Sequence, residues 1–152
     1  MRVLEKTVVI DATPDAVWSV LTDFAAYGEW NPFITSITGV AEPGARLSVA
    51  LTPPGGRTIT MKPKLRAADP NRRLAWLGRL GLPWVFDGAH EFLLEPGPNG
   101  TTVFTQHETF RGVLVPFVRS VLAKTEAGFE LMNVALKRRV EARVQSRSCE
   151  RS

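Results

Sequence analysis

The 152 residues are 44% apolar and carry a net charge of +4, which suits one folded domain with its own core and excludes a disordered tail. No apolar run approaches the roughly 20 residues that span a bilayer. The start, Met1-Arg2-Val3-Leu4-Glu5-Lys6, has charges where a signal peptide needs its apolar stretch. The single cysteine, Cys149, lies in a polar tail without a partner for an internal disulfide, so a reducing, cytoplasmic location is expected.

The charge is unevenly spread. Residues 137–152 hold six bases against two acids, whereas residues 1–136 carry thirteen of each sign. Cations at a helix C-terminus complement the helix dipole and keep that end soluble; a basic tail can also meet nucleic acid or an anionic membrane. This cluster has no interleaved aromatics and no matching patch elsewhere, so the first reading is preferred and neither nucleic acid nor stable membrane insertion is expected.

In chain order, residues 3–11 are rich in β-branched types and read as a strand. Thr13-Pro14-Asp15 follows as N-cap, first helical position and acidic first turn, and Val17, Trp18 and Leu21 then fall at helical spacing. A second short helical turn over 24–27 ends at Gly28, and Asn31-Pro32 breaks it. Strands are expected over 33–40, 46–51, 58–68, 73–80, 84–95 and 101–111, separated by Gly- and Pro-rich turns short enough for antiparallel hairpins. From Pro116 to about Ser146 the period changes. Phe117, Val118, Val121, Leu122, Phe129, Met132, Leu136 and Val140 keep spacings of three and four. A helix of that length, with one apolar stripe, needs an apolar surface to lie across, and one face of the sheet is the candidate. The order of elements gives an α+β domain over residues 1–146 with a polar basic tail over 147–152.

The last hairpin carries the chemistry. Its even-numbered residues Trp84, Phe86, Gly88, His90, Phe92, Phe104, Gln106, Glu108 and Phe110 share one face, and alternation turns that apolar face inward. His90, Gln106 and Glu108 are polar misfits there. With the turn centred near Pro98-Asn99, His90 faces Glu108 and Phe92 faces Gln106; a slip of two residues puts His90 opposite Gln106. His107 falls on the outer face. A buried carboxylate is costly unless paired, so His90 with Glu108 reads as a structural pair that fixes register, as a polar anchor for a ligand, or as an acid–base pair. Asn133 is the matching misfit on the long helix, either aimed at the hairpin or flanking the stripe. Trp18 reads as core. Trp76 and Trp84 flank the turn at Gly78–Pro83, either as core or as the mouth of a cavity.

No Gly-rich phosphate loop or nucleophile elbow is present, and two histidines with one tail cysteine do not make a usual zinc site. Neither cofactor nor metal is expected.

The chain resembles the START-like, or Bet v 1-like, superfamily (SRPBCC), specifically its bacterial polyketide cyclase/dehydrase and lipid-transport group. The resemblance rests on residues 10–18, on Tyr27-Gly28-Glu29-Trp30-Asn31-Pro32-Phe33, on Phe86-Asp87-Gly88-Ala89-His90-Glu91-Phe92, on Glu108-Thr109-Phe110-Arg111-Gly112 and on Met132-Asn133-Val134-Ala135-Leu136-Lys137. It implies a helix-grip fold, a seven-stranded curved antiparallel sheet around the C-terminal helix, with two short helices after the first strand. Between sheet and helix it implies a hydrophobic cavity for a small apolar or aromatic, lipid or polyketide-like molecule. Fold alone does not choose among the functions such domains host. Three stay open: a binding protein, a cyclase or dehydratase using His90 or Glu108 for proton transfer, and an interaction module without a ligand, as monomer or homodimer. The residues expected to meet a ligand are Trp30, Phe33, Trp76, Trp84, Phe86, His90, Phe92, Phe104, Gln106, Glu108 and Phe110, with Phe117, Phe129, Met132 and Asn133 from the helix.

Overall fold

The computed structural model describes residues 1–152. Strand β1 (Arg2–Ile10) leads into α1 (Pro14–Thr22), a 3-10 turn over Phe24–Ala26 and the single helical turn α2 (Tyr27–Trp30). Pro14 opens α1 and Asp15 lies in its first turn; the Thr13 side chain hydrogen-bonds the Asp15 carboxyl and holds its pKa below the usual carboxylate value. Tyr27 is fully buried, and its hydroxyl donates to the Leu21 carbonyl, fixing the corner between the helices. That burial pushes the phenol's pKa well above its ordinary value.

Strands β2 (Ile34–Thr38), β3 (Ser48–Leu51) and β4 (Ile59–Met61) form one antiparallel sheet in that order. Strands β5 (Lys64–Asp69), β6 (Arg73–Arg79), β7 (Asp87–Pro96) and β8 (Thr102–Arg111) join β1 in a second, ordered β1-β8-β7-β6-β5. The strand expected over 58–68 is therefore two. Pro63 lacks the N–H a continuous ladder needs, and the chain changes partner there, from β3 to β6. The two sheets still share an edge. Leu47 N donates to Pro63 O at 2.9 Å, Leu65 N to Ala45 O at 2.8 Å and Gly44 N to Leu65 O at 2.9 Å, so they continue into one curved surface.

Helix α3 (Arg119–Glu150) lies across the concave side, with Leu122, Phe129, Met132, Leu136 and Val140 buried. It runs on through most of the stretch expected as a separate tail, where its arginines complement the C-terminal dipole. Polar clamps hold it to β1. Lys6 bridges Glu126 at 3.3 Å and Glu130 at 2.7 Å. Lys137 donates to the Val9 carbonyl at 2.9 Å and to Glu141 at 2.6 Å, and Glu141 also accepts from the Asp11 N–H at 2.9 Å.

Desolvation raises the Glu141 pKa, but the Lys137 and Asp11 donors outweigh it and leave the carboxyl below its usual range. A carboxylate with a depressed pKa stabilises the fold above its unfolded value and loses that contribution as pH falls through its folded value. Glu141→Gln is therefore expected to cost about 0.5 kcal/mol at neutral pH, where solvent screens this partly exposed pair. Urea titrations of the two proteins should converge as the pH falls through the lowered pKa of the folded Glu141 carboxyl. A gap that persisted in acid would exclude the ionised carboxylate as its source.

Candidate functional site

β7 and β8 pair with His90 opposite Glu108 and Phe92 opposite Gln106. The two strands present their even-numbered side chains to α3, and His90, Phe92, Phe104, Gln106 and Phe110 are all buried. His90 Nδ1 lies 3.1 Å from Glu108 Oε2. A carboxylate only accepts, so Nδ1 carries the hydrogen and donates it. The imidazole is walled by aromatics. Trp76 stacks on it with centroids 5.4 Å apart and planes at 20°, while Phe92 and Phe129 meet it edge-on at 4.4 and 5.1 Å. His90 Nε2 is buried among them without a partner. The ring is thus fixed in position and tautomer, and it in turn fixes the Glu108 carboxylate.

Gln106 ties the sheet to the helix. Its Nε2 donates to the Phe129 carbonyl at 3.1 Å and to Asn133 Oδ1 at 2.7 Å. Of the two placements open to Asn133 in the sequence, the structure takes the one that points at the hairpin. Neither side chain reaches solvent, and the link registers α3 against β8.

Space remains at one end of the interior. A mostly apolar groove of about 90 Å³ is lined by Leu51, Ile59 and Met61 from the smaller sheet, by Gly78, Arg79, Leu80, Phe86, Gly88, Glu108 and Phe110 near the ends of β6, β7 and β8, and by Val121, Leu122 and Thr125 of α3. Glu108 is the one carboxylate in that lining. Its side chain is 13% exposed, against 4% for His90. A Cβ added at Gly88 would stand 2.8 Å from Glu108 Oε1; the glycine leaves room for the oxygen that His90 does not hold. His90 stands behind Glu108, not beside it.

The expected site residues thus separate. Phe86, Glu108 and Phe110 line the groove. Trp76, Phe92 and Phe129 enclose His90, and Phe33, Phe104 and Met132 are buried in the core. Trp30 packs on Tyr27 with centroids 5.1 Å apart. Trp84 and Phe117 point outward, at 81% and 82% exposed, which corrects their expected places on the inward face and the helical stripe. β7 begins only at Asp87, so strand alternation does not reach Trp84, whose positive φ of 77° turns it onto the loop. Phe117 belongs to the turn Val115–Phe117 before α3, outside the helical stripe. Leu51, Ile59, Met61 and Thr125 escaped the sequence reading; no local signal marks a residue that lines a groove only because another strand ends beside it. Gly88 had one signal, a missing side chain on an otherwise bulky face.

A long helix held in a curved antiparallel sheet, with a small groove at one end and a carboxylate on its wall, defines a helix-grip domain. The sequence profile of the family described as polyketide cyclase / dehydrase and lipid transport matches residues 1–141; the chain belongs to that family. Solved structures agree on the fold. The Zhui aromatase/cyclase from Streptomyces sp. R1128 is 21% identical with a TM-score of 0.76, over 94% of this chain and 95% of its own. A START superfamily protein from Mycobacterium smegmatis is 22% identical with a TM-score of 0.71, over 92% and 97%. Ara h 8.0201 is 17% identical with a TM-score of 0.69, over 93% and 98%. Among curated proteins, none matches the chain. No helix is long and apolar enough to cross a membrane.

Proposed function

We propose that the groove binds the end of a small apolar or aromatic molecule that carries one hydroxyl or similar proton donor, and that Glu108 Oε1 accepts its hydrogen bond. The observation that carries this reading is the Glu108 carboxylate on an apolar wall, one oxygen held by His90 and the other beside the gap at Gly88. At about 90 Å³ the groove is smaller than the roughly 300–1,000 Å³ usual for drug-sized ligands. It suits part of a molecule, the remainder leaving between Leu80 and Val121. His90 acts through Glu108, as a positioning residue.

A second reading is favoured by the same pair and by the family. A carboxylate oriented by a buried imidazole can accept a proton from a bound enolisable or hydroxylated substrate, as a cyclisation or dehydration requires. Glu108→Gln separates the two. For a binding protein, the neutral amide weakens hydroxyl-bearing ligands about tenfold, the loss of one charge-assisted hydrogen bond, and leaves hydroxyl-free analogues unchanged. For an enzyme, turnover collapses while affinity holds. Thermal-shift titration with matched naphthol and naphthalene probes tests the anchor; equal response of both proteins to both probes removes Glu108 from the site.

A further inference from the structure

Two loops meet at the end of the molecule where the groove opens. One joins β6 to β7, the other β8 to α3. Val113 N donates to Trp84 O at 3.0 Å and Leu114 N to Val85 O at 3.2 Å, so they form one tip. It presents large apolar side chains to water: Leu82 is 76% exposed, Trp84 81%, Val113 67% and Phe117 82%. Leu80 and Val121, each about half exposed, carry the apolar surface to the groove wall. Trp84 holds a left-handed φ of 77°, a conformation residues with a Cβ seldom adopt, and the reward is not burial, since its ring stands in solvent.

The charges around the tip are nearly of one sign. Arg79 and Arg111 flank the hollow that Trp84 lines, and Arg2 and Arg119 flank the adjoining one at Gly112 and Pro116. Asp87 is the one acid there, and Arg79 pairs with it at 3.5 Å. Exposed apolar side chains in a cationic collar suit a deformable anionic surface.

We propose that this tip docks on an anionic lipid surface. Leu82, Trp84 and Phe117 enter the boundary between headgroups and acyl chains, and the arginines meet the lipid phosphates. The groove mouth then faces the bilayer. Docking is a property of the tip and does not depend on what the groove holds, so it stands or falls apart from the ligand reading.

The test is co-sedimentation of the full chain with vesicles of equimolar phosphatidylglycerol and phosphatidylcholine, followed by tryptophan emission. Wild-type protein is expected to bind these about tenfold more tightly than pure phosphatidylcholine vesicles, with a blue shift and with release by high salt. The double variant Trp84→Ser/Phe117→Ser changes two exposed side chains, so its circular dichroism stays native while binding falls about tenfold or more. Glu108→Gln should bind vesicles as wild type does. The proposal is overturned if wild-type protein stays in the supernatant, or if the double variant binds equally and Arg143→Ala/Arg147→Ala instead abolishes binding. It is also overturned if ultracentrifugation shows that the tip joins two copies of the chain without lipid.

Discussion

Gly88→Leu is expected to abolish ligand binding while leaving the fold in place. Gly88 pairs with Gly78 on one side and Phe110 on the other, and its missing side chain is what keeps the wall open at Glu108. A Cβ there would already stand 2.8 Å from Glu108 Oε1 and 3.5 Å from the Phe110 ring. The remaining carbons of leucine then fill a groove of only about 90 Å³. The strand itself gains from the change, since mid-strand glycine is a poor β-former; overpacking costs about 1–3 kcal/mol in return. Thermal-shift titration should show affinity for any groove ligand falling by about a hundredfold or more, the loss of a contact surface together with its polar anchor. Gly88→Ala provides the graded control: one methyl displaces the carboxylate, weakening the hydroxyl-bearing probe more than its hydroxyl-free analogue. Wild-type affinity in the leucine variant would place the ligand somewhere else on the molecule.

The second large effect concerns stability. Gly112 ends β8 with φ at 129°, and a Cβ there would lie 2.4 Å from Val85 O, 2.6 Å from Val85 C and 2.9 Å from Phe86 N. These are backbone atoms, which cannot rotate away as a side-chain tip can. Gly112→Ala thus combines a strained dihedral with a main-chain collision, about 3 kcal/mol or more together. For a chain of this length that lowers the melting temperature by about 10 °C. The displacement also falls where Val113 and Leu114 bond to the 84–85 backbone, so hydrogen exchange at those two amides should rise before the rest of β8 loosens. An alanine variant that melts with the wild type would show that the two loops separate freely.

How much of this was legible beforehand follows from the range of the forces involved. The last hairpin was legible to within one slip, because a period of two and a short turn at Pro98-Asn99 leave His90 opposite either Glu108 or Gln106; the structure takes the first. The stripe on α3 was readable for the same reason at a period near 3.6. The limits of such reasoning appear where a strand stops. Alternation carried past the true start of β7 placed Trp84 inward, and the helical stripe extended back to Phe117 did the same. Pro63 was visible as a residue without a donor, yet only pairing with two different neighbours made 58–68 into two strands.

The sequence by itself determined the α+β class, the long apolar helix and the inward face of the last hairpin, with His90 opposite either Glu108 or Gln106. These depend on side-chain periodicity and turn chemistry within a few dozen residues. Only the tertiary structure decided between the two registers, which of the pair meets the groove, and that two distant loops share one apolar, arginine-rimmed end. Those depend on volumes and close approaches between segments far apart in the chain, which no local pattern encodes.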